Sequence, residues 1–371
     1  NQSCASCHDP AVGWTGPTSV VNAGGSVYEG SISDRFGDRK PPSSAYATLS
    51  PIFHMDKKGL FLGGNFWDGR ATGEVLGNPA ADQALGPFLN PKDQGLPDSA
   101  CVVYRVCSAS YPVALEDVWG TEVCAITWPA DVETVCATEG TTVNLSGEDR
   151  AKSDMAYGNI GLSIAAYEAS PEVNAFTSKY DYTKTGDAKL TKEEQRGFAL
   201  FQGKAGCRAC HPATGQQPLF TDFTFDNLGV PTNPENPAVL ADPGFIDPGL
   251  GGFLMNVGYD EDVYLAEWGK VKVPTLRNVD LRPDGDFVKA FGHNGYFKSL
   301  EGIVHFYNTR DVLDTCPGPY TEAEALAADC WPAPEVGENV NTVELGDLGL
   351  TDEEEAALVA YLRTLSDGYT P

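Results

Sequence analysis

No apolar run in this chain of 371 residues approaches the ~20 residues that a membrane-spanning helix needs. Positive charge is also scarce. Lys and Arg number 25 against 52 Asp and Glu, for a formal net charge of −27. Nucleic acid and anionic lipid surfaces attract the opposite sign, so neither is expected as a partner. A partner with a basic face would be steered in, although a charge of this size also simply keeps a secreted protein soluble. Histidine is rare, with five residues, so a pattern that uses it twice carries information.

That pattern is Cys-x-x-Cys-His, present as Cys4-Ala5-Ser6-Cys7-His8 and as Cys207-Arg208-Ala209-Cys210-His211. The spacing is that of covalent c-type haem attachment: two thiols add across the vinyl groups and the adjacent histidine ligates the iron. A zinc knuckle or a dithiol redox pair would leave both histidines unexplained, and neither site has a second Cys pair nearby to complete four ligands. Length suggests two domains, and the cassettes stand about 200 residues apart. The division expected is residues 1–165 and residues 166–371, with one haem c in each.

Six further cysteines remain: Cys101, Cys107, Cys124, Cys136, Cys316 and Cys330. Haem attachment and disulfide formation both occur in the oxidising periplasm, so up to three disulfides are expected. Cys316 and Cys330 flank a short loop whose closure is worth roughly 3 kcal/mol; the other four allow three pairings. The first haem cysteine is only the fourth residue and no signal peptide precedes it, which suggests a processed form exported to the periplasm or cell surface.

Forty Gly and 26 Pro point to many loops. Residues 31–100 read as loops with short helices broken by Pro41-Pro42, Gly63-Gly64 and Pro87. The stretch 101–145 shows no helical periodicity and reads as a disulfide-tied insertion. A helix is expected over Ser153–Glu168, with Met155, Ile160, Ile164 and Tyr167 inward. Thr191 and Glu194 fit a capping box that opens a helix to about Gln202. The same start recurs at Leu350-Thr351-Asp352-Glu353-Glu354. Residues 220–262 read as loop. The fold expected is mostly α: two cytochrome-c-like haem domains, with little strand, confined to hairpins.

With Phe66-Trp67-Asp68-Gly69-Arg70-Ala71, Lys272-Val273-Pro274-Thr275-Leu276-Arg277-Asn278 and His293-Asn294-Gly295 added to the cassettes, the chain resembles the bacterial di-haem cytochrome c peroxidase / MauG family over nearly its whole length. The resemblance implies that the N-terminal haem reacts with peroxide, the C-terminal haem exchanges electrons, and Trp67 lies between them. It places Gln83, Pro87 and Asp93 at the positions of the peroxide site, with Asp93 one methylene shorter than the usual glutamate. Arg277 belongs to the motif at the cofactor. The distal histidine of reductively activated peroxidases has no counterpart in Ser31–Arg35, leaving His8 as ligand of an open first haem; His54 is the spare histidine nearby.

Counting 14 residues from His293, as the family does, gives Tyr307 opposite His211 at the second iron, where typical peroxidases have methionine. His305 and Met255 are the rivals. MauG-like members of the family carry tyrosine there, so the resemblance is to that branch; phenolate stabilises ferric iron, whereas methionine raises the potential. Calcium is usual in the family and takes an Asn; Lys40 stands there, and an ammonium cannot ligate it. Asp280 or Asp284 could restore a site. The resemblance thus implies a peroxidase-family oxidoreductase that uses hydrogen peroxide to reach a high-valent di-haem state. That state oxidises a partner protein, often at tryptophan, by long-range electron transfer. Ala205 stands at the exit position, with Trp119, Trp268 and Trp331 as other candidates. Two alternatives remain: a peroxidase reducing hydrogen peroxide to water with electrons from a small cytochrome or cupredoxin, and a non-enzymatic electron-transfer cytochrome.

Overall fold

The computed structural model describes residues 2–371. Helices carry the architecture, and local sequence explains where they begin. Thr191 and Thr351 cap the helices Lys192–Gln202 and Asp352–Arg363, and Glu194 and Glu354 answer each threonine's own N–H, completing both capping boxes. These two helices pack on one another. They cross closely at Gly197, where a Cβ would run into the Ala357 carbonyl. Leu200, Phe201, Leu358, Tyr361 and Leu362 turn from this pair into a core shared with Leu300, Phe306 and Trp331.

The helix expected from Ser153 begins earlier and spans Gly147–Glu168, because Ser146 accepts the Asp149 N–H at 3.1 Å and sets the start there. Its buried face is Ser153, Ala156, Tyr157, Ile160, Gly161 and Ala165, whereas Met155 and Tyr167 are exposed. The reason is a close neighbour. Helix Pro79–Leu89 lies so near that a Cβ on Gly161 would sit 2.9 Å from the Ala81 carbonyl oxygen, so small residues face the contact. Pro87 does not end that helix, which continues to Leu89. Lacking an N–H, Pro87 leaves the Gln83 carbonyl without its helical partner.

The stretch 101–145 is more helical than its sequence suggests. It contains parts or all of the helices Ser99–Cys107, Pro112–Trp119 and Val132–Cys136. Periodicity is masked because Ala100, Cys101, Val102 and Val103 are all buried in succession. Disulfides Cys101–Cys136 and Cys107–Cys124 resolve the open pairing, and Cys316–Cys330 joins as expected. Asp98 ties the insertion's ends, accepting from the N–H groups of Ala100 and Val143 and from Arg150. Replacing Cys101 and Cys136 together by serine is expected to cost about 3–4 kcal/mol; denaturant unfolding would check it, and an unchanged midpoint would show that Asp98 alone suffices.

Residues 220–262 also differ from expectation, holding the short helices Pro237–Ala241, Gly249–Asn256 and Glu261–Ala266. Among the described residues strand is scarce, in three two-residue pairs. Only His54–Met55 with Phe61–Leu62 is a local hairpin. Phe225–Asp226 pairs with the distant Val271–Lys272, and Asp314–Thr315 runs parallel to Cys330–Trp331 beside their disulfide.

Candidate haem centres

Both cassettes fold as the same tight 3-10 turn, Cys4–Ser6 and Cys207–Ala209, and the His8 and His211 N–H groups each donate to the first cysteine's carbonyl at 2.9 Å. The imidazoles are oriented alike. His8 Nδ1 lies 3.1 Å from the Trp14 carbonyl oxygen and 3.1 Å from Ser44 Oγ, and His211 Nδ1 lies 2.7 Å from the Phe220 carbonyl oxygen. A ring that donates its Nδ1–H to a carbonyl presents the Nε2 lone pair, the arrangement of a metal-ligating histidine. Burial lowers the pKa of both rings and favours the neutral, ligating form. Cys4, Cys7, Cys207 and Cys210 are the cysteines outside disulfides. This donor set fits two iron porphyrins.

One cavity of ≈ 300 Å³ is walled by His8, Cys207, Cys210, His211, Trp67, Gln83, Arg277 and Tyr307. Tyr307 reaches it because Leu300, Ile303, Val304 and Tyr307 form one side of helix Leu300–Thr309, all in the wall. His305 falls on another side and holds Glu355 at 3.1 Å, and Met255 is exposed on its own helix; neither joins the wall. Burial pushes the Tyr307 phenol well up, so phenolate needs a cation such as ferric iron beside it.

Trp67 is buried and pinned at both ends: its Nε1–H donates to the Lys40 carbonyl at 2.9 Å, and its own carbonyl accepts the Lys272 N–H at 2.8 Å. Phe66 sits beside it at φ 65° with the Arg70 guanidinium 4.0 Å above its ring. Asp93 and Pro87 do not line the cavity, nor do Cys4 and Cys7. Asp93 is half-buried and accepts from Asn90 Nδ2 at 2.8 Å, and burial pushes its carboxyl up. His54 is exposed on the hairpin, 2.8 Å from the Ile52 carbonyl. Arg277 is wholly buried, with its guanidinium bidentate on Asp181.

At the family's calcium position Lys40 is buried, its Nζ on Thr15 Oγ1 at 3.2 Å and the Pro41 carbonyl at 3.3 Å. Asp280 is shared by Arg282 and Arg363, and Asp284 is exposed. The sequence reading missed Lys272, Lys289 and Glu168. Lys272 stands inside the quoted motif; the other two carry no local signal. Glu168 Oε2 is buried with no hydrogen-bond partner, and burial pushes its carboxyl from 4.5 to about 7. The fold therefore holds a proton that the unfolded chain releases above pH 4.5, and stability falls as pH rises through that window. Glu168→Gln is expected to remove this decline, a gain of about 2–3 kcal/mol at pH 8. Parallel melts at pH 5 and pH 8 would test it, and an equal pH dependence in both proteins would refute it.

Two histidines presented for metal, four unpaired cysteines beside them and a shared cavity define a di-haem oxidoreductase of the peroxidase type. The chain belongs to the di-haem cytochrome c peroxidase family that includes MauG, whose family model matches residues 1–189. It is 34% identical over 375 residues to the methylamine utilization protein MauG of Paracoccus denitrificans (strain Pd 1222), covering 99% of this chain and 84% of that protein. Cytochrome-c peroxidase IdrP1 of Denitromonas iodatirespirans is 27% identical over 378 residues, covering 98% and 76%. The crystal structure of the diheme peroxidase BthA from Burkholderia thailandensis E264 aligns with a TM-score of 0.74 at 28% identity, covering 99% of this chain and 82% of that one. As a family member the protein carries two haem groups and is an enzyme with hydrogen peroxide as oxidant.

Proposed function

We propose that this is a MauG-like periplasmic enzyme that uses hydrogen peroxide to oxidise a side chain, such as tryptophan, of a partner protein by long-range electron transfer. The observation that carries this reading is Tyr307 in the cavity wall, with His305 and Met255 directed elsewhere. Cys4, Cys7 and His8 would hold one haem c, and Cys207, Cys210, His211 and Tyr307 would hold the other. The units divide near residue 165. When bound, the haems supply the oxidising chemistry.

The protein's own groups do the rest. Gln83 holds peroxide by hydrogen bonds at the His8 centre. Asp93 handles its protons through intervening water, because its carboxylate lies off the wall. Trp67 stands between the centres, and its Nε1–H faces a carbonyl that cannot take the proton, so it conducts without losing it. Lys40 stands where a calcium ligand would, and this reading needs no calcium.

The test is to treat the oxidised protein with peroxide beside the product of its neighbouring gene and look by mass spectrometry for added oxygen or a crosslink. An unaltered partner would sink the proposal. A second reading, reduction of peroxide with electrons from a small cytochrome or cupredoxin, is favoured by the likeness to IdrP1. It predicts a second haem that reduces readily near the potential of cytochrome c, with steady turnover on reduced cytochrome.

A further inference from the structure

His293 is buried beside Trp67, the two rings meeting edge to face with centroids 6.5 Å apart. Its carbonyl accepts the Lys40 N–H at 2.8 Å, and the Lys40 carbonyl in turn accepts from Trp67, so the three residues form one hydrogen-bonded unit. Its Nε2 faces Glu335 at 3.4 Å. Glu335 is itself fixed, accepting from Asn294 Nδ2 and from the Asp247 N–H, both at 2.7 Å. Arg39 clamps Asp247 behind it. The other ring nitrogen, Nδ1, is buried with no hydrogen-bond partner in the protein, and the residue forms part of the cavity wall. A buried nitrogen left so is unfavourable unless a partner is supplied.

The surrounding wall holds three lysines whose charge burial opposes, and a negative group placed in the cavity would favour it. Lys40, Lys272 and Lys289 all line the cavity, and their ammonium groups meet only neutral oxygens: Thr15 and Pro41, Ser50 and Asn65, and the carbonyls of Val12, Asn278 and Leu281. None of the three forms an ion pair among the described residues. Burial opposes a charged His293, but Glu335 and Asp247 outweigh it and raise its pKa. A doubly protonated ring would donate from both nitrogens, Nε2 to Glu335 and Nδ1 to an acceptor placed beside it.

We propose that His293 is a cofactor-binding residue, its Nδ1–H donating to a carboxylate side arm of a haem in the cavity while Glu335 orients the ring. The proposal rests on the two-haem reading above. It makes His293 the contact through which a haem carboxylate and Trp67 share one rigid support.

The experiment compares wild type, His293→Phe, His293→Gln and Glu335→Gln. Pyridine haemochrome absorbance counts the haems, and resonance Raman spectra follow the haem carboxylate bending band. The expected result is two haems in every protein, with the band shifted in His293→Phe and Glu335→Gln and restored in His293→Gln, whose amide can still donate. Glu335→Gln matters because it removes the carboxylate that favours a charged ring, and a neutral N–H donates more weakly than a charged one, which shifts the band. It also decides the question alone should His293→Phe fail to fold. An identical band in all folded proteins would overturn the proposal with the two-haem reading intact. A wild type with fewer than two haems would overturn that reading, and the proposal with it.

Discussion

Gln83→Leu is expected to slow the reaction with hydrogen peroxide by about 10²–10³-fold while both haems stay bound, the cost typical of removing one aligned hydrogen-bond donor from a reacting oxygen. Leucine nearly matches glutamine in volume, so the wall keeps its shape and loses only its polar groups. Gln83 lies on the helix that packs through Ala81 against Gly161, and a rigid neighbour of this kind holds the amide in place. Stopped-flow absorbance of the oxidised protein mixed with peroxide measures the rate. A wild-type rate would remove Gln83 from the mechanism. Asp93→Ala separates the two roles: it should slow the same step through lost proton transfer, yet leave the affinity for peroxide nearer wild type, because Asp93 does not reach the wall.

What the sequence made legible was the chemistry fixed by spacing within a few residues. Cys-x-x-Cys-His closes a single turn, and Thr-x-x-Glu caps its own helix, so both cassettes and both capping boxes could be read locally. Tyr307 was legible through resemblance alone, and its place on the cavity side of its helix depends on Leu300, Ile303 and Val304 packing there. Less legible were the contacts in which one segment hides another's signal. Ser99–Cys107 was hard to read because Ala100, Cys101, Val102 and Val103 are buried in succession, enclosed by disulfides and the Asp98 clamp. Met155 and Tyr167 were misplaced because the neighbouring helix selects small residues, a fact written at Ala80 and Ala81 rather than nearby. Lys289 could not be read at all, since its ammonium binds carbonyls contributed by residues 12, 278 and 281.

Replacing Tyr307 by methionine should change the protein's role more than its fold. Both side chains reach the cavity from the same helical position, and the cassette at Cys207 and His211 is untouched. A phenolate is a hard anion that stabilises ferric iron, whereas a thioether favours the ferrous state. Axial ligands of haem span about 0.8 V in reduction potential, so the second centre should rise by about a few tenths of a volt. Spectroelectrochemical titration reads this directly. In consequence, the variant should accept electrons from a reduced small cytochrome and turn peroxide over steadily, while oxidation of the partner protein by peroxide falls away. The rivals make the result decisive. Were His305 or Met255 the true ligand, Tyr307→Met would leave the potential of the second centre where it was, and the case for a MauG-like enzyme would lose its main support.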